Sequence, residues 1–209
     1  MTDRGAPRPS PPILFLPGAG GSPEFWRPVA EELRRCGEPV LLGWPGFGAV
    51  AADPSVRSLE DLHGWMCDRL PPGASHDVAQ SMGGILAARL AIEQPERVAS
   101  LVLVATSGGM DLSDLRAEDW RPAYLREHPD VPRWFVDDRT DLTARLGRVR
   151  APTLLLWSDA DPVSPLAVGE RLAREISQAR LEVISGGSHA FAHERPLEVA
   201  ALIRHFLGA

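Results

Sequence analysis

The sequence predicts an α/β fold: a doubly wound, mostly parallel sheet of about six strands with helices on both faces. Two observations carry this expectation. Short apolar runs alternate with longer amphipathic stretches along nearly the whole chain, and strands interleaved with helices of that length form parallel sheets through crossover connections. The runs are also continuously apolar, Leu101-Val102-Leu103-Val104 above all, as strands covered on both faces must be.

The elements follow in order. The first twelve residues, MTDRGAPRPSPP, hold four prolines and no apolar period, and read as a flexible leader before a single domain over 13–209. Strands are expected at 13–16, 39–42, 78–79, 99–105, 153–157 and 181–184. Helices are expected at 23–36, 58–70, 82–93, 165–178 and 196–207. In the last, Leu197, Ala200, Ala201, Ile203, Phe206 and Leu207 recur at helical spacing on one face. Ser75-His76-Asp77 is too polar for a central strand, so it is read as loop. Its contiguity is not a catalytic sign, because such triads assemble in space and not along a strand. Residues 106–150 break the alternation: they hold no clean strand, many charges, and the aromatics Trp120, Tyr124, Trp134 and Phe135. Aromatics on an insertion need an apolar surface to cover, so this segment is read as a small lid and not as a plug on the sheet edge.

Composition narrows the function. At 209 residues, 44% hydrophobic and 24% charged, the chain is an ordinary globular one and not disordered, collagen-like or coiled-coil. The net charge is −6, with no basic run, so a nucleic-acid partner is not expected. The N-terminus lacks the apolar core of a signal peptide, and no apolar run approaches the ~20 residues of a membrane span. A cytoplasmic protein acting on a small molecule, as a monomer or small homo-oligomer, is the expectation. The two cysteines, Cys36 and Cys67, have no metal-ligand or redox spacing and are expected to be free thiols. Neither a metal nor a cofactor is expected.

Four loops, each just after an expected strand, hold the residues that carry chemistry. In a parallel sheet such loops gather at the carboxyl edge, where active sites form. Ala79-Gln80-Ser81-Met82-Gly83-Gly84 is nearly the G-x-S-x-G elbow, in which small residues let a sharp turn thrust one serine out at the start of a helix. The bland alternative is a serine that merely caps the helix. Leu16-Pro17-Gly18-Ala19-Gly20-Gly21-Ser22 lacks the Lys-Ser/Thr of a phosphate-binding loop, so its glycines are read as exposing backbone N–H groups to an oxyanion. Two further loops hold Asp159 and Asp161, and Gly186-Gly187-Ser188-His189. Serine, then acid, then histidine is the chain order of a hydrolase triad.

Together, FLPGAGGS, GWPGFG, AQSMGG, PERVASLVLVAT, LLLWSDADPVSP and GGSHAFAHERP make the chain, from Ile13 to Leu207, resemble the α/β-hydrolase fold superfamily in its serine-nucleophile, esterase- or lipase-like branch. The resemblance implies Ser81 as nucleophile, Asp161 as acid and His189 as base. It prefers Asp161 to Asp159 because Pro162-Val163 follows. The backbone N–H groups of Ala19 and Met82 would form the oxyanion hole. Trp26, Trp120 and Trp134 are candidates for the substrate pocket. Three departures stand out: Pro17 where the family often has His, Ser158 where it has Gly, and no N-terminal strand pair, which implies a trimmed sheet. The expected activity is hydrolysis of a carboxylic ester or thioester through an acyl-enzyme. The alternatives are a C–C bond hydrolase or lyase acting on an acidic metabolite, which would want arginines in the pocket, and a non-catalytic binding protein of the same fold.

Overall fold

A computed structural model describes residues 10–115 and 117–208. Six strands form one all-parallel sheet in the order β2-β1-β3-β4-β5-β6. They are β1 (Ile13–Leu16), β2 (Pro39–Leu41), β3 (Ser75–Gln80), β4 (Val98–Val104), β5 (Thr153–Ser158) and β6 (Ala179–Ile184). The helices are α1 (Arg27–Glu32), α2 (Leu59–Cys67), α3 (Met82–Glu93), α4 (Arg121–Glu127), α5 (Arg133–Asp137), α6 (Leu166–Glu175), α7 (Phe191–Glu194) and α8 (Pro196–Leu207).

Strand alternation splits the core between the two faces of the sheet. Leu14, Leu16, Ala79, Leu101, Leu103, Leu155 and Trp157 pack with residues of α2, α3, α6 and the 106–150 segment. Ile13, Phe15, Val78, Val102, Val104, Leu154 and Leu156 pack with residues of α1, α7 and α8. Helix α3 buries nine of its residues, glycines and alanines among them, because small side chains let it lie close to β1, β3 and β4.

The strand order reverses between β1 and β3, which opens a crevice at their carboxyl ends. Leu16 pairs with Ala79 in register, so the loop after β1 and the turn after β3 emerge side by side. That placement builds the site.

The expected helix at 23–36 is a 3₁₀ turn, Pro23–Phe25, followed by the short α1. The larger correction concerns β3. It begins at Ser75, so Ser75-His76-Asp77 is strand and not loop. Position overrides propensity here: β3 lies between β1 and β4, and its polar side chains find partners. Ser75 Oγ donates to Asp77 Oδ1 at 2.6 Å, and His76 Nδ1 meets Ser100 Oγ at 2.8 Å. Residues 1–9 of the expected leader lie outside the described residues, and the Pro12 carbonyl already accepts the His76 N–H at 2.9 Å. Cys36 is a buried free thiol, while Cys67 is only half-buried. No helix among the described residues is long and apolar enough to cross a membrane.

Candidate active site

Ser81 occupies the turn between β3 and α3 with φ 50° and ψ −119°. A non-glycine residue there costs roughly 1–3 kcal/mol, and such strain clusters where one side chain must be presented. Its surroundings hold it. The Ser81 N–H donates to the Val104 carbonyl at 3.1 Å, and Gly84 N–H and Thr106 Oγ1 donate to the Ser81 carbonyl at 2.9 and 2.6 Å. The side chain makes no capping bond to α3, which removes the bland reading of this serine. The small residues around it are needed. A Cβ on Gly83 would lie 2.5 Å from the Pro17 carbonyl oxygen, and one on Gly84 would lie 2.5 Å from Thr106 Oγ1. Gly83→Ala is therefore expected to lower stability by about 1–3 kcal/mol, seen as a reduced urea midpoint. An unchanged midpoint would mean that the loop gives way freely.

The loop after β1 runs against this elbow. A Cβ on Gly18 would sit 2.2 Å from Gln80 Oε1 and 3.0 Å from Ser81 Cβ. Four successive carbonyls of the loop are engaged. Leu16 accepts the Trp26 indole N–H at 2.9 Å, and Pro17 accepts that of Trp44 at 2.8 Å. Gly18 accepts the Gly21 N–H at 3.0 Å, and Ala19 accepts the Tyr124 hydroxyl at 2.7 Å. With its carbonyls held, the loop's peptide planes are fixed in direction. Met82 opens α3 and its N–H has no intrahelical acceptor, so the helix start faces the same crevice with its positive end.

Asp161 and His189 meet at the carboxyl ends of β5 and β6. His189 Nδ1 lies 2.7 Å from Asp161 Oδ2, and the carboxylate is fully buried while the imidazole is partly exposed. The other oxygen, Oδ1, accepts the N–H groups of Val163 and Ser164 at 2.9 and 3.2 Å. Asp159 does something else: it accepts the Gly186 N–H at 2.6 Å and the Ser185 hydroxyl at 3.2 Å, a brace between loops. Ser158, the departure from glycine, acts alike. Its hydroxyl donates to the Gly187 carbonyl at 2.8 Å and accepts the Ala160 N–H at 3.1 Å. Gln80, beside Ser81, donates to the His189 carbonyl at 3.2 Å, so the serine turn and the histidine loop are tied directly. Among the described residues, no cluster of three or more His, Cys, Asp or Glu side chains is arranged to hold a metal ion.

The 106–150 segment supplies α4, α5 and a 3₁₀ turn, and its aromatics converge over the loop after β1. Trp120 stacks on Phe135 with centroids 5.2 Å apart and meets Tyr124 edge-on at 5.4 Å. Trp134 packs edge-on against Phe47 at 5.7 Å. A Cβ on Gly21 would strike Phe47, so this cluster abuts the loop directly. Trp120 and Trp134 thus lie on the site's side of the sheet. Trp26 does not: it is fully buried on the opposite face with Phe15 and Val78, because its indole N–H is drawn to the end of β1. It is a strut for the loop and not a pocket wall. Sequence reading gave no role to Trp44, Thr106 or Gln80 and read Tyr124 only as one of the lid aromatics. Trp44 stands in GWPGFG, Gln80 in the elbow motif and Thr106 at the end of PERVASLVLVAT, which were the available signals; the bond of Tyr124 to Ala19 had none.

The family profile for the α/β hydrolase fold matches residues 11–141, well over half of the chain, and the chain belongs to that family. It is similar to a putative carbamate hydrolase RutD of Azorhizobium caulinodans, 27% identical across 94% of this chain and 91% of the relative. It is also similar to a pimeloyl-[acyl-carrier protein] methyl ester esterase of Nitrosomonas europaea, 27% identical across 86% and 89%. Among solved structures, a hydrolase from Pseudomonas aeruginosa superimposes with a TM-score of 0.77 at 26% identity, over 96% of this chain and 91% of the other.

Proposed function

We propose that this protein is a serine hydrolase that cleaves a carboxylic ester or thioester of a small, uncharged molecule through an acyl-enzyme. The observation that carries the reading is the fully buried Asp161 carboxylate bonded to His189 Nδ1 at 2.7 Å, at the sheet edge where Ser81 stands on its strained turn. A carboxylate there fixes the imidazole tautomer that leaves Nε2 free to accept a proton, and stabilises the imidazolium formed.

The steps follow. His189 Nε2 takes the Ser81 proton as Oγ attacks the carbonyl carbon. The oxyanion is received by the N–H groups of Ala19 and Met82, where one such donor is worth roughly 3–4 kcal/mol. The imidazolium then protonates the departing oxygen or sulfur. Water, deprotonated by the same imidazole, opens the acyl-enzyme and returns Ser81 to its starting state.

The lid arginines favour an uncharged substrate over an acidic one. Arg121 donates to the Val136 carbonyl at 3.2 Å and to Asp119 at 3.2 Å, with its guanidinium over Trp120. Arg126 and Arg133 are exposed, and Arg116 lies outside the described residues. The described lid thus presents aromatic rings, not guanidinium groups, to the loop after β1. The similarity to an esterase supports the ester-cleaving part of the reading.

A fluorophosphonate probe tests it. Labelling should map to Ser81 and vanish in Ser81→Ala, with circular dichroism showing both proteins folded. A folded wild type that takes no label would sink the acyl-enzyme mechanism.

A further inference from the structure

We propose that Thr106 is a positioning residue for the oxyanion hole: its hydroxyl, donated to the Ser81 carbonyl, polarises the Ser81–Met82 peptide, so that the Met82 N–H on the other side of that peptide becomes a stronger donor to the oxyanion. This rests on the hydrolase reading and deepens it.

One peptide joins the two groups. The Ser81 carbonyl and the Met82 N–H belong to the same trans unit, where they point in opposite directions. The carbonyl accepts two hydrogen bonds, from Gly84 N–H at 2.9 Å and from Thr106 Oγ1 at 2.6 Å. The first belongs to the turn that opens α3, and it sets the direction of the peptide. The second reaches in from outside the helix, across 25 residues, and is the shorter of the two. Met82 is the first residue of α3, so its N–H has no acceptor within the helix. The carbonyl side of this peptide is thus filled by protein donors, and the N–H side is left for a ligand.

The end of β4 is shaped to deliver the hydroxyl. Ala105 has φ 45°, a left-handed backbone in a residue with a side chain, and such strain persists only where the surroundings over-determine it. The kink lets the chain grip both peptides of the serine. Before it, the Val104 carbonyl accepts the Ser81 N–H at 3.1 Å; after it, Thr106 Oγ1 donates to the Ser81 carbonyl. Oγ1 also accepts the Gly108 N–H at 3.0 Å. A carbonyl only accepts, so the hydroxyl proton lies on the bond to Ser81. Helix α3 makes room for this contact with a glycine, since a Cβ on Gly84 would sit 2.5 Å from Oγ1. Thr106 is 1% exposed, and a bond so buried is not weakened by water. The resulting chain runs from the Gly108 N–H through the Thr106 hydroxyl and the Ser81–Met82 peptide to the Met82 N–H. Each bond in such a chain strengthens the next by roughly 10–30%. Charge developing on the oxyanion polarises the peptide in the same sense, so the Thr106 bond tightens in the transition state. A contact that strengthens there raises kcat and leaves ground-state binding unchanged.

The test compares wild type with Thr106→Val, which keeps the shape and removes the hydroxyl, and with Thr106→Ser, which restores it. Losing an oxyanion donor outright costs about 10²–10³-fold, so weakening one by roughly 10–30% predicts a kcat about fivefold lower in Thr106→Val on p-nitrophenyl acetate. KM should stay within about twofold, and Thr106→Ser should recover the rate. A trifluoromethyl ketone reads the hole directly, because Ser81 Oγ adds to it and leaves a bound oxyanion. The pKa of that hemiketal, followed by fluorine NMR, should rise by about 0.7 in Thr106→Val, the same fivefold in logarithmic form, and return in Thr106→Ser. An unchanged kcat and hemiketal pKa in folded Thr106→Val overturn the proposal. So does a lower melting temperature that weakens the trifluoromethyl ketone and its non-adding methyl ketone analogue alike, since Thr106 would then only support the fold. Wild type gives a reading that needs no variant: the Thr106 hydroxyl proton should move downfield as the adduct forms. A resonance that stays in place overturns the proposal even where Thr106→Val does not fold. A wild type that forms no adduct overturns the hydrolase reading, and this proposal with it.

Discussion

Asp161→Asn is expected to lower kcat on ester substrates by about 10⁴-fold, the scale on which a serine triad fails when its acid is neutralised, while leaving the fold intact. The direction follows from the partners of the carboxylate. Oδ1 accepts two backbone N–H groups, from Val163 and Ser164. In the asparagine variant those two donors select the amide oxygen for that position. The NH2 group is thereby turned to the place of Oδ2, facing His189 Nδ1. Nδ1 must then accept a hydrogen bond, so the ring carries its proton on Nε2. An imidazole in that tautomer cannot take the proton of Ser81. Asp159→Asn is the control. Its carboxylate braces Gly186 and Ser185, and its loss should cost activity only a few-fold. Comparable losses in the two variants, or a larger loss in Asp159→Asn, would place the acid elsewhere.

The two aspartates also mark how far the sequence was legible. The loop with Asp161 follows β5, whose apolar run announces itself, whereas Ser81 and His189 follow the partly polar β3 and β6 and were legible through the glycine-rich segments AQSMGG and GGSHAFAHERP. The parallel sheet was legible from the alternation of short apolar runs with amphipathic stretches. What escaped was the support given by distant side chains to backbone groups. Trp26 looked like a pocket residue because it follows a glycine-rich loop, yet its side chain is buried on the opposite face of the sheet and its indole N–H ends on the Leu16 carbonyl. Tyr124 bonds to Ala19 across 105 residues, and Thr106 to Ser81 across 25. Such contacts leave no local period. β3 misled for a related reason: Ser75, His76 and Asp77 Oδ1 find hydrogen-bond partners in and beside the sheet, and that pairing exists only after folding.

The start of β3 also yields the largest expected effect on stability. Asp77 has no solvent exposure. Its Oδ1 is met by Ser75, while Oδ2 is buried without a hydrogen-bond partner. Burial raises its pKa from 3.8 to about 7, against the smaller opposing effects of the Ser75 hydroxyl and the Arg97 charge. A carboxyl held neutral in the folded state and ionised in the unfolded one favours unfolding increasingly as pH rises. Its contribution to stability is intact below about pH 4 and is lost progressively up to about pH 7, then stays lost. A shift of about three units at 1.36 kcal/mol each amounts to about 4 kcal/mol. Asp77→Asn should therefore match wild type near pH 4 and exceed it by several kcal/mol at pH 8, a gain of roughly 10 °C in melting temperature for a chain of this size. Urea midpoints measured for both proteins from pH 4 to 8 decide the matter, and parallel curves would refute it. Asp77 sits near the amino end of β3, with Val78, Ala79 and Gln80 between it and Ser81, so the substitution leaves the serine turn alone. Asp77→Asn is thus expected to keep the wild-type pH profile of activity while losing the decline in stability.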